Sequence, residues 1–231
     1  MKVGMNDLNS ILFNIAQSAP GFLLAIVVHE AAHAWMANKF GDPTAKNEGR
    51  LTLNPAAHYD PWGTIFFPLL AAVGNWGVIG WAKPVPIEVR NFKNIRKGIF
   101  WVSFAGPLSN IILGTFFAMV FALIVTKVPV SWGYYSIALQ MLDYAVMINF
   151  ILAFFNLIPL PPLDGSKMVS SFLKGHALQK YESLANYAPA IFMMVFVLSF
   201  MGIHTIGYLL LPAQHLAKYM MFFFLNVFGS L

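Results

Sequence analysis

The sequence predicts an all-α polytopic membrane protein, on three observations. Of its 231 residues, 58% are hydrophobic and only 10% are charged, against the roughly 25% charged that is usual in soluble domains. Uncharged stretches of about 18 or more residues recur along the chain, each long enough to cross a bilayer as a helix. The basic residues cluster between those stretches, as they do in cytoplasmic loops. About five to six membrane segments are expected, with a re-entrant hairpin or an edge strand between the first two long helices. The formal charge of +5 is accounted for by the loops, so no nucleic-acid partner is expected. The absence of cysteine removes disulfides and thiolate metal sites. The length suits one intramembrane domain over residues 1–231, and Lys2 and Asp7 ahead of the first helix do not read as a cleaved signal peptide.

The first helix is expected from Ile11 to Phe40, kinked at Pro20-Gly21. Gly21 to Val28 carry no charge, and then His29, Glu30 and His33 follow. On a helix, residues four apart lie one above the other, so His29 and His33 present their imidazoles to one point. That spacing lets one helix give two ligands to a tetrahedral zinc, with Glu30 turned by about 100° to reach a water there. A glutamate at bilayer depth costs roughly 3 kcal/mol, and such groups usually face a functional interior.

The connector from Gly41 to Gly63 carries the turn signals Asp42-Pro43, Asn54-Pro55 and Asp60-Pro61. His58 within it either closes a turn or stands near the site. Thr64 to Trp81 is apolar but broken by Pro68 and the Gly74, Gly77, Gly80 series. Basic residues flank it on both sides, Lys39, Lys46 and Arg50 before and Lys83, Arg90, Lys93, Arg96 and Lys97 after. It is therefore expected to enter and leave the membrane on the cytoplasmic side. Lys83-Pro84-Val85-Pro86-Ile87 reads as extended, since a proline disfavours helix in its predecessor, and proline confines a strand to a sheet edge.

Gly98 to Thr126 has no ionisable residue and is the clearest spanning helix. Gly106 and Ser109 in it allow close helix approach, and Asn110 needs a hydrogen-bond partner in lipid, through helix packing or in support of the site. Lys127 to Gly133 is an external turn. Tyr144 to Leu163 is the next uncharged run, and Pro159, Pro161 and Pro162 stop the helix so that Asp164 arrives at the cytoplasmic end. Asn186 to Ile203 is a further spanning helix. Ile206 to Leu231 returns across the membrane or lies along it. His176, His204 and His215 have no ligand spacing and read as interfacial or packing residues.

Hydrolysis at a His-Glu-x-x-His zinc needs a third protein ligand and an open fourth position. Glu48 sits among turn residues with no helix to fix it, whereas Asp164 stands where an apolar helix is made to stop. With His29-Glu30-Ala31-Ala32-His33 in the first helix and Asn156 through Gly165 in the fourth apolar segment, the chain resembles the site-2 protease family of intramembrane zinc metalloproteases. Gly106 to Asn110 and Gly80 to Pro86 support the resemblance, which covers roughly residues 21–170; the catalytic core is taken as about residues 10–175. It implies Zn2+ held by His29, His33 and Asp164, with Glu30 as catalytic base and Asn156 helping to place substrate. His58 and Asn110 are further candidates for substrate positioning. The implied member is a minimal one without a PDZ or CBS domain. Its expected substrates are single-span membrane proteins or peptides, within the bilayer of the cell membrane and cut towards the cytoplasmic face. The rival readings are a membrane zinc carrier or sensor and a structural zinc protein. A carrier gives no reason for a glutamate beside a ligand histidine, and structural zinc usually has four protein ligands.

Overall fold

The computed structural model describes residues 5–74, 80–203 and 205–230, and every regular element among them is helical. Helix α1 runs unbroken from Met5 to Phe40, 36 residues and about 54 Å of rise. Pro20 lies inside it. Gly21 serves as a contact point: a Cβ there would sit 3.0 Å from the Ala145 Cα.

Short helix α2 (Thr44–Asn47) follows, then single turns at Pro55–Ala57 and Pro61–Phe66, the second a wide π turn that leads into α3 (Phe67–Gly74). The two described ends of this segment meet. The Trp81 N–H donates to the Gly63 carbonyl (3.0 Å), and the Thr64 hydroxyl donates to the Trp81 carbonyl (3.1 Å). The chain on the two sides of residues 64–81 is thereby held together. Gly63 and Gly80 make the neck possible, since a Cβ on Gly63 would lie 2.5 Å from the Trp81 ring and one on Gly80 would lie 2.8 Å from Phe22. Gly77 of the expected glycine series lies outside the described residues.

Residues 80–88 are extended, as the prolines require, but the sheet edge is not found: the described residues contain no strand for them to pair with. The inward groups of the segment are taken by side chains and turns instead. Pro84 and Pro86 lack an N–H to offer outward.

Helix α4 (Ile95–Lys127) and helix α5 (Tyr135–Asn156) pack on α1 and on each other. Val102, Gly106, Asn110, Gly114, Ala118 and Ala122, all buried, form one stripe along α4 at four-residue spacing. Small residues in such a stripe let backbones approach where lipid supplies no hydrophobic drive between helices. Phe22, Ala25, Ile26, Val27, Ala82 and Ile148 make one buried cluster. Ala118, Val146 and Phe150 make another with Ala213 and Ala217.

Beyond α5 come α6 (Asp164–Ser170), α7 (Gly175–Glu182), α8 (Ala188–Phe200) and α9 (Thr205–Gly229), the last packed on α4 and α5. Three of the described helices, α1, α4 and α5, are long and apolar enough to cross a membrane, or four segments if the bent pair Gly175–Asn186 and Ala188–Ser199 counts as one. The expectation of five to six is therefore not met. Helix α8, at 13 residues, rises only about 20 Å against a hydrocarbon core of about 30 Å. The helix expected from Tyr144 to Leu163 begins and ends earlier, because the proline-rich turn already governs the chain from Leu157.

Candidate metal centre

Helix α1 supplies the first two groups. His29 and His33 are both nearly fully buried, on the face turned to α4. The His29 Nδ1–H donates to Asn110 Oδ1 at 2.6 Å. Asn110 gives both of its own donors elsewhere, to the Ala25 carbonyl (3.0 Å) and to Asn149 Oδ1 (2.9 Å), so its oxygen is left for the imidazole. The His33 Nδ1–H donates to the Val102 carbonyl at 2.7 Å. With both Nδ1 atoms acting as donors, both Nε2 atoms carry lone pairs.

Asp164 opens α6 directly after the proline-rich turn, where Pro161 and Pro162 are joined by a cis peptide bond. Gly165 lets that first turn tuck under the end of α5, since a Cβ there would collide with the Leu157 carbonyl and lie 2.6 Å from the Ile158 carbonyl oxygen. Asp164 Oδ2 thereby stands 3.1 Å from His29 Nε2 and 3.2 Å from His33 Nε2, while the two Nε2 atoms are 3.0 Å apart.

Three lone-pair atoms at these separations repel unless a cation lies among them. A tetrahedral zinc with bonds of about 2.0–2.1 Å spaces its donors about 3.3 Å apart, so the residues present fit zinc. Gly106 completes the fit. A Cβ on it would lie 2.5 Å from His33 Nε2 and 2.6 Å from His29 Nε2, too close to both imidazoles.

The group opens into a cavity of about 330 Å3 walled by Gly80 to Ile87 on one side and by Leu152, Phe155, Asn156 and Leu163 on the other. Glu30 lines it beside the histidines, with Oε2 accepting the Val85 N–H at 2.9 Å. Asn156 lines it too, its Nδ2 donating to the Leu152 carbonyl at 3.0 Å. Lys167 stands at the same cavity, Nζ 3.8 Å from Asp164 Oδ1.

Two sequence candidates for substrate positioning lie elsewhere. Asn110 sits behind His29, fully buried, and does not line the cavity. His58 closes the connector: its Nε2–H donates to the Thr52 carbonyl (2.9 Å), and its own carbonyl accepts the Lys83 N–H (2.9 Å). Glu48 is exposed at the end of α2. His176 and His215 are exposed, and His204 lies outside the described residues. Sequence reasoning missed Asn149, fully buried on α5, which fixes Asn110 and in turn donates to the Ala145 carbonyl (2.8 Å). The rule that flagged Asn110, an amide in an apolar run, applies to it equally.

The sequence profile described as peptidase family M50 matches residues 134–196, the stretch that holds Asn156 and Asp164. YwhC of Bacillus subtilis, described as "Putative zinc metalloprotease YwhC", is 38% identical over 176 residues, 76% of this chain and 77% of its own. The chain belongs to peptidase family M50. Rip2 of Mycolicibacterium smegmatis, described in the same terms, is 32% identical to this M50 chain over 149 residues, 63% of this chain and 52% of Rip2. Rip2 of Mycobacterium tuberculosis H37Rv is 27% identical over 180 residues, 77% of this chain and 65% of Rip2. No solved structure matches the M50 chain.

Proposed function

We propose that this M50 peptidase hydrolyses peptide bonds of single-span membrane substrates at the His29–His33–Asp164 centre, on the cytoplasmic side of the cell membrane, with Glu30 as the base. It is an intramembrane zinc metallopeptidase. The observation that carries the residue roles is the convergence of three lone-pair atoms beside a carboxylate that lines the same cavity. Zinc held there supplies Lewis-acid chemistry, polarising a scissile carbonyl and making water more acidic.

The chain's own residues do the rest. Asn110 and the Val102 carbonyl hold both imidazoles with Nε2 facing inward. Glu30 uses Oε2 to accept the Val85 N–H, and no protein group among the described residues bonds Oε1. That oxygen takes the proton from the attacking water and returns it to the leaving amine. Asn156 offers an amide to the backbone of an unwound substrate, whose carbonyls a helix would otherwise shield. The basic connectors around Lys93 and Lys174 support the cytoplasmic placement.

Glu30→Gln keeps size and shape and removes the base. Zinc should stay at about one per chain, since all three ligands remain. Turnover of a membrane-spanning peptide should fall by at least about a hundredfold. Equal turnover by both proteins, with zinc present in each, would overturn the role of Glu30 as base, and absence of turnover in the zinc-loaded wild type would favour the carrier reading.

A further inference from the structure

Arg50 is a buried cation without an acid. It is 8% exposed, and no carboxylate of the described residues forms an ion pair with it. Its Nη1 donates to the Ala57 carbonyl, and its Nη2 donates to the carbonyls of Lys83 (2.9 Å) and Pro84 (3.0 Å). Nε has no partner. A guanidinium is desolvated at high cost, and carbonyl oxygens return less than a carboxylate would. Stability alone is a poor reason to keep it there.

One of those carbonyls has a second meaning. The Pro84 carbonyl and the Val85 N–H belong to the same planar peptide unit. Arg50 grips its oxygen, and Glu30 Oε2 accepts from its nitrogen at 2.9 Å. We infer that Arg50 is a positioning residue for Glu30, acting through the Pro84–Val85 peptide unit. The fixed plane sets where the glutamate carboxylate stands beside His29 and His33. The cation on the oxygen also polarises the amide and strengthens its N–H as a donor. The fork geometry of arginine suits the task, because it holds two successive carbonyls of residues 83–84 and one from its own connector at once.

The inference rests on Glu30 being the base, so Glu30→Gln is included in every comparison. Arg50→Met removes the donors at similar length. It should lower kcat on a spanning peptide by about 10–100-fold, the usual effect of losing a group that orients a working residue. KM and zinc content should stay within about twofold, which a collapse of the fold would not allow. Val85→Pro deletes the N–H and leaves Arg50 in place, whereas Val85→Ala trims the side chain and keeps the N–H. Val85→Pro should match Arg50→Met and fall at least about tenfold below Val85→Ala, and the double variant Arg50→Met/Val85→Pro should be no worse than Val85→Pro alone. Wild-type kcat in Val85→Pro, or single effects that multiply in the double variant, would overturn the inference. Val85→Pro decides the matter even if Arg50→Met does not fold. If Glu30→Gln cleaves as wild type does, Glu30 is not the base and the inference falls with that assignment; if it is dead while Arg50→Met and Val85→Pro are unimpaired, only the role of Arg50 fails.

Discussion

Gly106 shows how little freedom a single position has beside this centre. Its missing Cβ occupies the space in front of both Nε2 atoms, so even a methyl group must displace an imidazole or exclude the metal. Gly106→Ala should therefore lower zinc affinity by about 100-fold, the upper end of what disturbed ligand support causes. Competition with a chelator measures it, and unchanged affinity would show that the metal sits elsewhere. At this scale the sequence is legible where spacing carries the chemistry. Four-residue separation brings His29 to His33, and a helix stopped by proline brings Asp164 to them. It is silent where burial carries the role. Arg50 looks like one more basic residue of a cytoplasmic connector, and only tertiary structure takes its guanidinium out of water.

Elements are held together here by polar staples as much as by apolar faces. Asp42, fully buried at the end of α1, accepts from the Thr44 N–H (3.1 Å) and hydroxyl (2.5 Å), the Glu88 N–H (2.8 Å) and Asn91 Nδ2 (2.9 Å). It ties α1 and α2 to the far end of the extended segment. Burial pushes its carboxyl up, but those four bonds outweigh it and lower it below the ordinary aspartate value. A carboxyl lowered in the folded state stabilises fully above its unfolded pKa of about 3.9, and that stability is lost as pH falls through the lowered value. Thermal unfolding in detergent between about pH 6 and pH 3 should show wild type losing stability towards acid, while Asp42→Asn starts lower and responds less. Parallel curves would place the acid response in other groups. The long helices were readable from uncharged length. The further crossings expected are not confirmed among the described residues, because hydropathy alone does not separate a short apolar helix such as α8 from a span.

For the whole molecule, the basic stretches before and after residues 64–81 lie at the site end of the bundle. The Phe40 carbonyl accepts the Lys93 N–H at 3.1 Å, joining the end of α1 to the start of α4. The turn after Lys127 lies at the other end of α4. Single cysteines at Asn91 and Lys174 should then react with an impermeant reagent only from the cytoplasm, and one at Val130 only from outside. The chain has no native cysteine to interfere. Labelling of Asn91→Cys from outside would reverse the orientation. The charge distribution of the sequence suggests this arrangement, and Gly63 and Gly80 supply the steric reason that residues 63 and 81 can meet.

The wall formed by residues 80–87 means that the enzyme keeps an extended peptide beside its own cutting chemistry for its whole lifetime. Self-digestion is the hazard of such a design. Proline at 84 and 86 turns two of the nearest peptide bonds into tertiary amides with fixed φ. Arg50, Glu30 and Asp42 anchor the backbone at 83–85 and 88, so it cannot swing into the path of attacking water. Those anchors hold this stretch of the chain's own backbone in place at the cavity wall.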